Sequence, residues 1–404
     1  MTQPRPTGHD IPIPRAQLYE LLEKDQRLAS DDHEKFKRFC VLLQSLYHHE
    51  FHATLEDMKS AYRLFNPDVD DALRPDVAPD EMERVLLERL DHVMIKGNFQ
   101  EITSEGLQDA LAGEGLFPIS LDVPFDDFAF YKLYFQGEST GTEEVKSAIP
   151  FMTRKVTFGV YDRVVLLVKF REAEHFANQK GKMPGRPGKV YLKYLKGVPK
   201  PDLEMVFPNP KPRMKLIHKL KIGVPVVAGL GITVHKLVIA PFVLGSAGNP
   251  ISEGLSLGLV ATLAGLGGYV FKAYTNYRNT VQDFLAQVTT SLYFKNMVSN
   301  QGVFNTLVDD AEEEETKEAV LAYYFLLASP EPMAGDELDR TVEAWLEERL
   351  GRPVDFELDD ALGKLERHEL LTKDDDGRYR VVELDTALER VDRIWDNLFQ
   401  YNSG

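Results

Sequence analysis

Histidines four residues apart on a helix present both rings to one face, a spacing that suits a metal ion. The run His48-His49-Glu50-Phe51-His52 places His48 and His52 in that register. A zinc site needs three or four ligands, and the sequence identifies no third. Leu46 and Phe51 give the same helix a core-facing side, so the run reads as structural. A denser cluster follows at Asp309, Asp310, Glu312, Glu313, Glu314 and Glu315, then Lys317 and Glu318. Glu312, Glu315 and Glu318 fall three apart and share a helix face, which makes them a candidate interaction cluster. Carboxylates inside a helix bundle hold paired metals when Glu-x-x-His steps accompany them, and none does here. Acidic side chains at a helix start are stabilised by the helix dipole without further purpose. The single thiol, Cys40, excludes a disulfide framework and a cysteine-rich zinc site. No glycine-rich phosphate loop, nucleophile elbow or HExxH step occurs. The sequence therefore assigns no catalytic residue, metal ligand or cofactor.

The elements that carry these residues follow from periodicity. Leu18, Leu21 and Leu22, then Phe36, Phe39, Leu42, Leu43 and Leu46, predict helices across 14–65. Asp80, with Glu83 three residues on, predicts a capped helix from 80 to 96, and a short helix follows over 104–111. VTFGV and RVVLLVKF predict a hairpin turning at Tyr161-Asp162, with further strands at 190–196 and 203–207. Residues 316–398 predict three helices and two short strands around an Asp-Asp-Gly turn, the order of a winged helix.

Charge and hydropathy divide the chain further. The net charge is −17, yet residues 180–221 hold 12 basic side chains against only Asp202 and Glu204. Two apolar stretches, 222–240 and 251–271, are each long enough to span a bilayer. Pro241 and a GSAGNP turn separate them, and basic residues precede the first while the connecting loop has none. The expected fold is therefore α+β and mainly helical, a multi-unit membrane protein. Its parts are a helical N-terminal arm (1–145), a small β-rich segment with a basic juxtamembrane stretch (146–220), a transmembrane helical hairpin (221–271), and a helical C-terminal arm ending in a winged-helix-like unit (272–404). Localisation at an inner membrane with both termini cytoplasmic is expected. Lys211, Arg213, Lys215, Lys219 and Lys221 are candidate lipid-headgroup contacts. Glycines 254, 258, 265, 267 and 268 offer a face for a second copy.

The stretches 201–227 and 276–327, together with the glycine-rich second span, resemble the transmembrane protein 143-like family, a domain of unknown function (number 3754). That resemblance implies a membrane protein without an assigned activity and carries over no catalytic residue. The expected function is a membrane-anchored, cytoplasm-facing scaffold or regulatory protein with membrane lipids and an unidentified protein as partners. A membrane-bound enzyme acting near headgroups and a nucleic-acid-binding winged helix are the alternatives. A deep pocket of converging polar groups would favour the enzyme, and a flat apolar patch the scaffold. Nucleic acid is disfavoured, because residues 316–398 carry 22 acidic and 11 basic side chains.

Overall fold

A computed structural model describes residues 9–69, 78–111, 120–146, 153–177, 185–208, 210–213, 296–398 and short pieces within 264–286. The helices are α1 (Arg15–Lys24), α2 (Ser30–Tyr62), α3 (Pro79–Lys96), α4 (Ser104–Leu111), α5 (Ala173–Phe176), α6 (Gln301–Ala328), α7 (Gly335–Leu350), α8 (Leu358–Arg367) and α9 (Leu384–Asp396). The strands are β1 (Gln100–Glu101), β2 (Ser120–Asp122), β3 (Phe128–Lys146), β4 (Thr153–Phe170), β5 (Val190–Pro199), β6 (Lys211–Arg213), β7 (Asn296–Ser299), β8 (Leu371–Lys373) and β9 (Tyr379–Val381). They fall into two units, one of residues 1–110, 126–200 and 295–404, the other of 111–125 and 201–294.

In the first unit, α6 is central. Val303, Phe304 and Leu307 bury one face of its start, where Gln301, Asn305 and Asp309 are exposed, and Ala319–Leu326 are buried all round. Helices α1, α2, α3, α7 and α8 pack on it. Phe39 stacks on Tyr323 with ring centroids 4.2 Å apart, and Tyr62 meets Phe304 edge-on at 5.1 Å. A five-stranded sheet in the order β1-β3-β4-β5-β7 closes this unit, with every pairing antiparallel. Strand alternation sends Tyr134, Val165, Leu167, Leu192 and Tyr194 into the same core as the helices. The C-terminal part runs α7, α8, the β8–β9 hairpin and α9 in that order. Met333 pairs with Tyr379 of β9, which ties the hairpin to the segment after α6.

The second unit pairs β2 with β6 in antiparallel register, and Leu121 N–H donates to Glu204 at 2.8 Å. Phe125 and Phe207 meet edge-on at 5.3 Å. Its described pieces within 264–286 are helical, with Phe271 and Tyr274 exposed.

Several expectations need correction. Among the described residues no helix is long and apolar enough to cross a membrane. The long helices α2 and α6 carry acidic and basic side chains along their length, which hydrocarbon does not accept. The membrane fold, and with it the integral inner-membrane localisation, gives way to a mixed α/β architecture. Residues 221–263, most of the expected hairpin, lie outside the described residues, as do Gly254 and Gly258. Tyr161-Asp162 is not a turn, because β4 runs unbroken through it for 18 residues. Its partner is β3, within the stretch expected to be a helical arm. Residues 203–206 lie in a 3-10 turn, not a strand. At α3, Pro79 takes the first helical position and Asp80 caps nothing. Glu83 instead accepts from Lys169 at 2.7 Å.

Candidate functional site

Two sides of α6 hold charged groups, and they differ in how completely those groups are matched. On one side Lys364 of α8 enters the core at 2% exposure. Its Nζ lies 3.2 Å from Glu315, 2.9 Å from Asp360 and in contact with Glu318. Lys96 at the end of α3 adds a second ammonium, 3.0 Å from Glu315 and 2.8 Å from Asp360. Asn98 Nδ2 donates to the other oxygen of Glu318 at 2.6 Å. Burial alone would pull the Lys364 pKa down, but Glu318, Glu315 and Asp360 outweigh it and raise it. Burial pushes Glu315 up to about 7 against the pull of Lys364. Glu315, Glu318 and Asp360 converge closely enough for a cation. The Lys364 ammonium already contacts all three and is the cation they hold. Buried charges persist only when paired in this way. Close by, Tyr47 Oη and His368 Nε2 are buried without a hydrogen-bond partner among the described residues. Burial pushes His368 down to about 4.

Glu312, the remaining member of the predicted face, sits apart from the other two. It accepts from Arg15 at 3.3 Å and from His48 Nδ1 at 2.8 Å. Each of the three glutamates is buried and serves to bind other helices to α6, so together they offer no surface face. His52 is exposed and joins no metal cluster among the described residues. Lys211 is exposed on β6 of the second unit. The side chain of Arg213, and Lys215, Lys219 and Lys221 entirely, lie outside what the structure describes.

The other side of α6 faces a cavity of about 550 Å³, polar and partly open. Its walls come from the strap 10–14, from β3, β4 and β5, from α6, and from the turn after α7. The strap is sewn to α6 by its backbone. Ile11 N–H donates to Glu314 at 3.1 Å, and Lys317 donates to the Ile11 and Ile13 carbonyls at 2.6 and 3.2 Å. Lys317 also meets Glu314 at 2.8 Å, so both charges are satisfied. Burial pushes Glu314 up to about 7. Arg15 N–H, the first of α1, donates to Glu313 at 3.0 Å, which caps that helix from another element.

On the sheet wall Gln136, Arg163 and Lys196 stand opposite one another across β3, β4 and β5. Arg163 donates to Gln136 and lies 3.8 Å from Asp310, which accepts from Tyr194 Oη at 2.6 Å. Arg352 lies 4.0 Å from Asp10. Burial raises the pKa of both Asp10 and Asp310, with Arg352 and Arg163 respectively pulling the other way. The next rung of the sheet carries Asp162 between Gly137 and Gly197, both at positive φ. A Cβ on Gly137 would stand 2.8 Å from Asp162 Oδ2, so this rung admits no side chain there. The cavity was not foreseen from the sequence, because Arg163 and Lys196 are only two of several charged residues on β4 and β5.

Residues 161–302 match the family described as "Protein of unknown function (DUF3754)". No solved structure matches the chain. The matched stretch contains Arg163, Tyr194 and Lys196 but neither the strap nor most of α6. Residues 161–302 thus carry a domain of unknown function.

Proposed function

We propose that this protein is a regulatory protein that binds a small polar ligand in the cavity beside α6 and signals occupancy to a protein partner. The observation that carries the reading is the composition of the walls. Six separate segments contribute, namely the strap, β3, β4, β5, α6 and the turn after α7, so one ligand would touch parts of the chain far apart in sequence. Ligand pockets of several hundred Å³ with converging polar groups are the usual form of a small-molecule site. A pocket of converging polar groups is the feature expected of the enzyme alternative, and it equally suits a ligand that is bound without reaction. Support for the transmembrane protein 143-like relationship is the match across β4 and β5, and it adds no activity.

An enzymatic reading has one specific support, the Asp10 carboxyl. It is half-buried, its pKa is raised, and it lines the cavity beside Arg352, as a general acid would. Nucleic-acid binding has less. Lys364, one of two basic residues on the helix that would enter a groove, is consumed inside the protein.

The test is a thermal-shift screen of the full chain against phosphorylated, carboxylated, aminated and neutral polyhydroxy metabolites. Thr306→Trp, which fills the cavity from α6, serves as the control. Compounds that raise the midpoint of the wild type and leave Thr306→Trp unmoved support the reading, and they should slow amide exchange at Ile11 and Arg15. A panel in which nothing stabilises the wild type overturns it.

A further inference from the structure

The cavity's carboxylates are more completely engaged than its cations. Its carboxylates are engaged: Asp162 accepts from Ser139 at 2.6 Å, Asp310 from Tyr194, Glu313 from the Arg15 amide, and Glu314 from Ile11 and Lys317. Asp10 alone has only the loose ion pair with Arg352 at 4.0 Å. The cations are not engaged to the same degree. Arg163 commits one nitrogen to Gln136 and reaches Asp310 only at 3.8 Å. Lys196 has no hydrogen bond or ion pair among the described residues, and Arg352 has only Asp10.

The register sharpens this imbalance. Arg163 and Lys196 are direct cross-strand partners on β4 and β5. Directly opposed residues on antiparallel strands hold their Cβ atoms about 5 Å apart, and like charges there repel. This pair of cations, with a third across the cavity on the turn after α7, offers adjacent positive charges to an anion seated between them. Two basic groups at that spacing suit separate oxygens of one phosphate, and the arginine supplies a planar fork of donors.

We propose that the ligand of this cavity carries a phosphate group, held by Arg163 and Lys196 with Arg352 opposite. The remainder of the ligand lies toward Asp10 and Asp162, which accept from its hydroxyl groups. This rests on the ligand-binding reading above and narrows it to one chemical class.

Titration calorimetry of the full chain with inorganic phosphate and with glycerol 3-phosphate tests the assignment, with glycerol as the uncharged arm. Both phosphates should bind, glycerol 3-phosphate more tightly, with affinity falling as salt rises and glycerol giving no heat. Lys196→Met and Arg352→Gln should each weaken phosphate binding about tenfold or more, because a hydrogen bond to a charged group is worth about 1.5–3 kcal/mol. The exposed Lys24→Met should bind as the wild type does. Lys196 has no internal partner to lose, so its variant keeps the fold, and circular dichroism checks this. Phosphate binding unchanged in Lys196→Met and Arg352→Gln overturns the assignment. So does a screen in which cationic or neutral compounds fill the cavity while neither phosphate binds, although the ligand-binding reading then stands. If no compound of any class binds, both fall together.

Discussion

The two charged sides of α6 are made from the same residue types and are built to opposite effect. Toward α8 and α3, Lys364 and Lys96 meet Glu315, Glu318 and Asp360 at salt-bridge distance, with Lys364, Glu315 and Glu318 buried. Toward the sheet, Arg163, Lys196 and Arg352 face a cavity with donors to spare. Matched charges in a closed interior fix how helices pack, since each group left alone would bear its full desolvation cost. Charges around an open space keep contact with solvent and stay available to something that enters. The same helix is therefore a structural post on one side and the wall of a cavity on the other.

The largest effect expected from this difference comes from Lys364→Met. Removing the ammonium leaves three carboxylates close together and largely buried, and should destabilise the protein by about 3–5 kcal/mol in urea unfolding. A loss below about 1 kcal/mol would mean the network is not structural.

A second effect lies in pH. His368 is held near 4 in the folded protein against an ordinary value of 6.5. Its contribution to stability is therefore complete above 6.5 and is lost as pH falls through 4. Glu314 and Glu315, raised from 4.5 to about 7, work the other way, with a contribution complete below 4.5 and lost as pH rises through 7. The difference between wild type and His368→Leu isolates the histidine. Between pH 7 and pH 5 it should shift by about 2 kcal/mol in favour of the variant. A pH-independent difference would show that His368 is not a buried neutral group.

A smaller effect marks the strap. Glu313→Ala removes the acceptor of the Arg15 amide and should cost about 1 kcal/mol, read as faster amide exchange at the start of α1. The smallest expected effect is none at all. The full chain should show no salt-sensitive shift with duplex DNA, because the exposed face of α8 presents Asp359, Glu366 and an Arg367 paired with Glu50, while Lys364 points inward.

How much of this was legible in the sequence depended on how local each cause was. Helices α1, α2, α3 and α4, strand β5 and the C-terminal hairpin all announce themselves through periodicity or turn chemistry within a few residues. Strand β3 did not, because its second half, GESTGTEEVK, is polar and its structure depends on pairing with β4. The acidic run was seen but its setting was not. Its helix begins at Gln301, so the carboxylates lie in mid-helix and a dipole explanation does not reach them. Their counter-ions come from Lys96 and Lys364, positions no spacing rule connects to 315 and 318. Arg163 and Lys196 likewise become partners only through sheet register, which one sequence does not encode in readable form.

The division of α6 into a closed side and an open side is tested most directly by urea unfolding of three full-length proteins with and without inorganic phosphate. The proteins are the wild type, Lys364→Met and Lys196→Met. Lys364→Met should unfold at much lower urea yet keep the stabilisation that phosphate confers on the wild type. Lys196→Met should unfold where the wild type does and lose that stabilisation. If both variants lose the same baseline stability, or both respond to phosphate as the wild type does, the two sides of α6 do not differ in the way described.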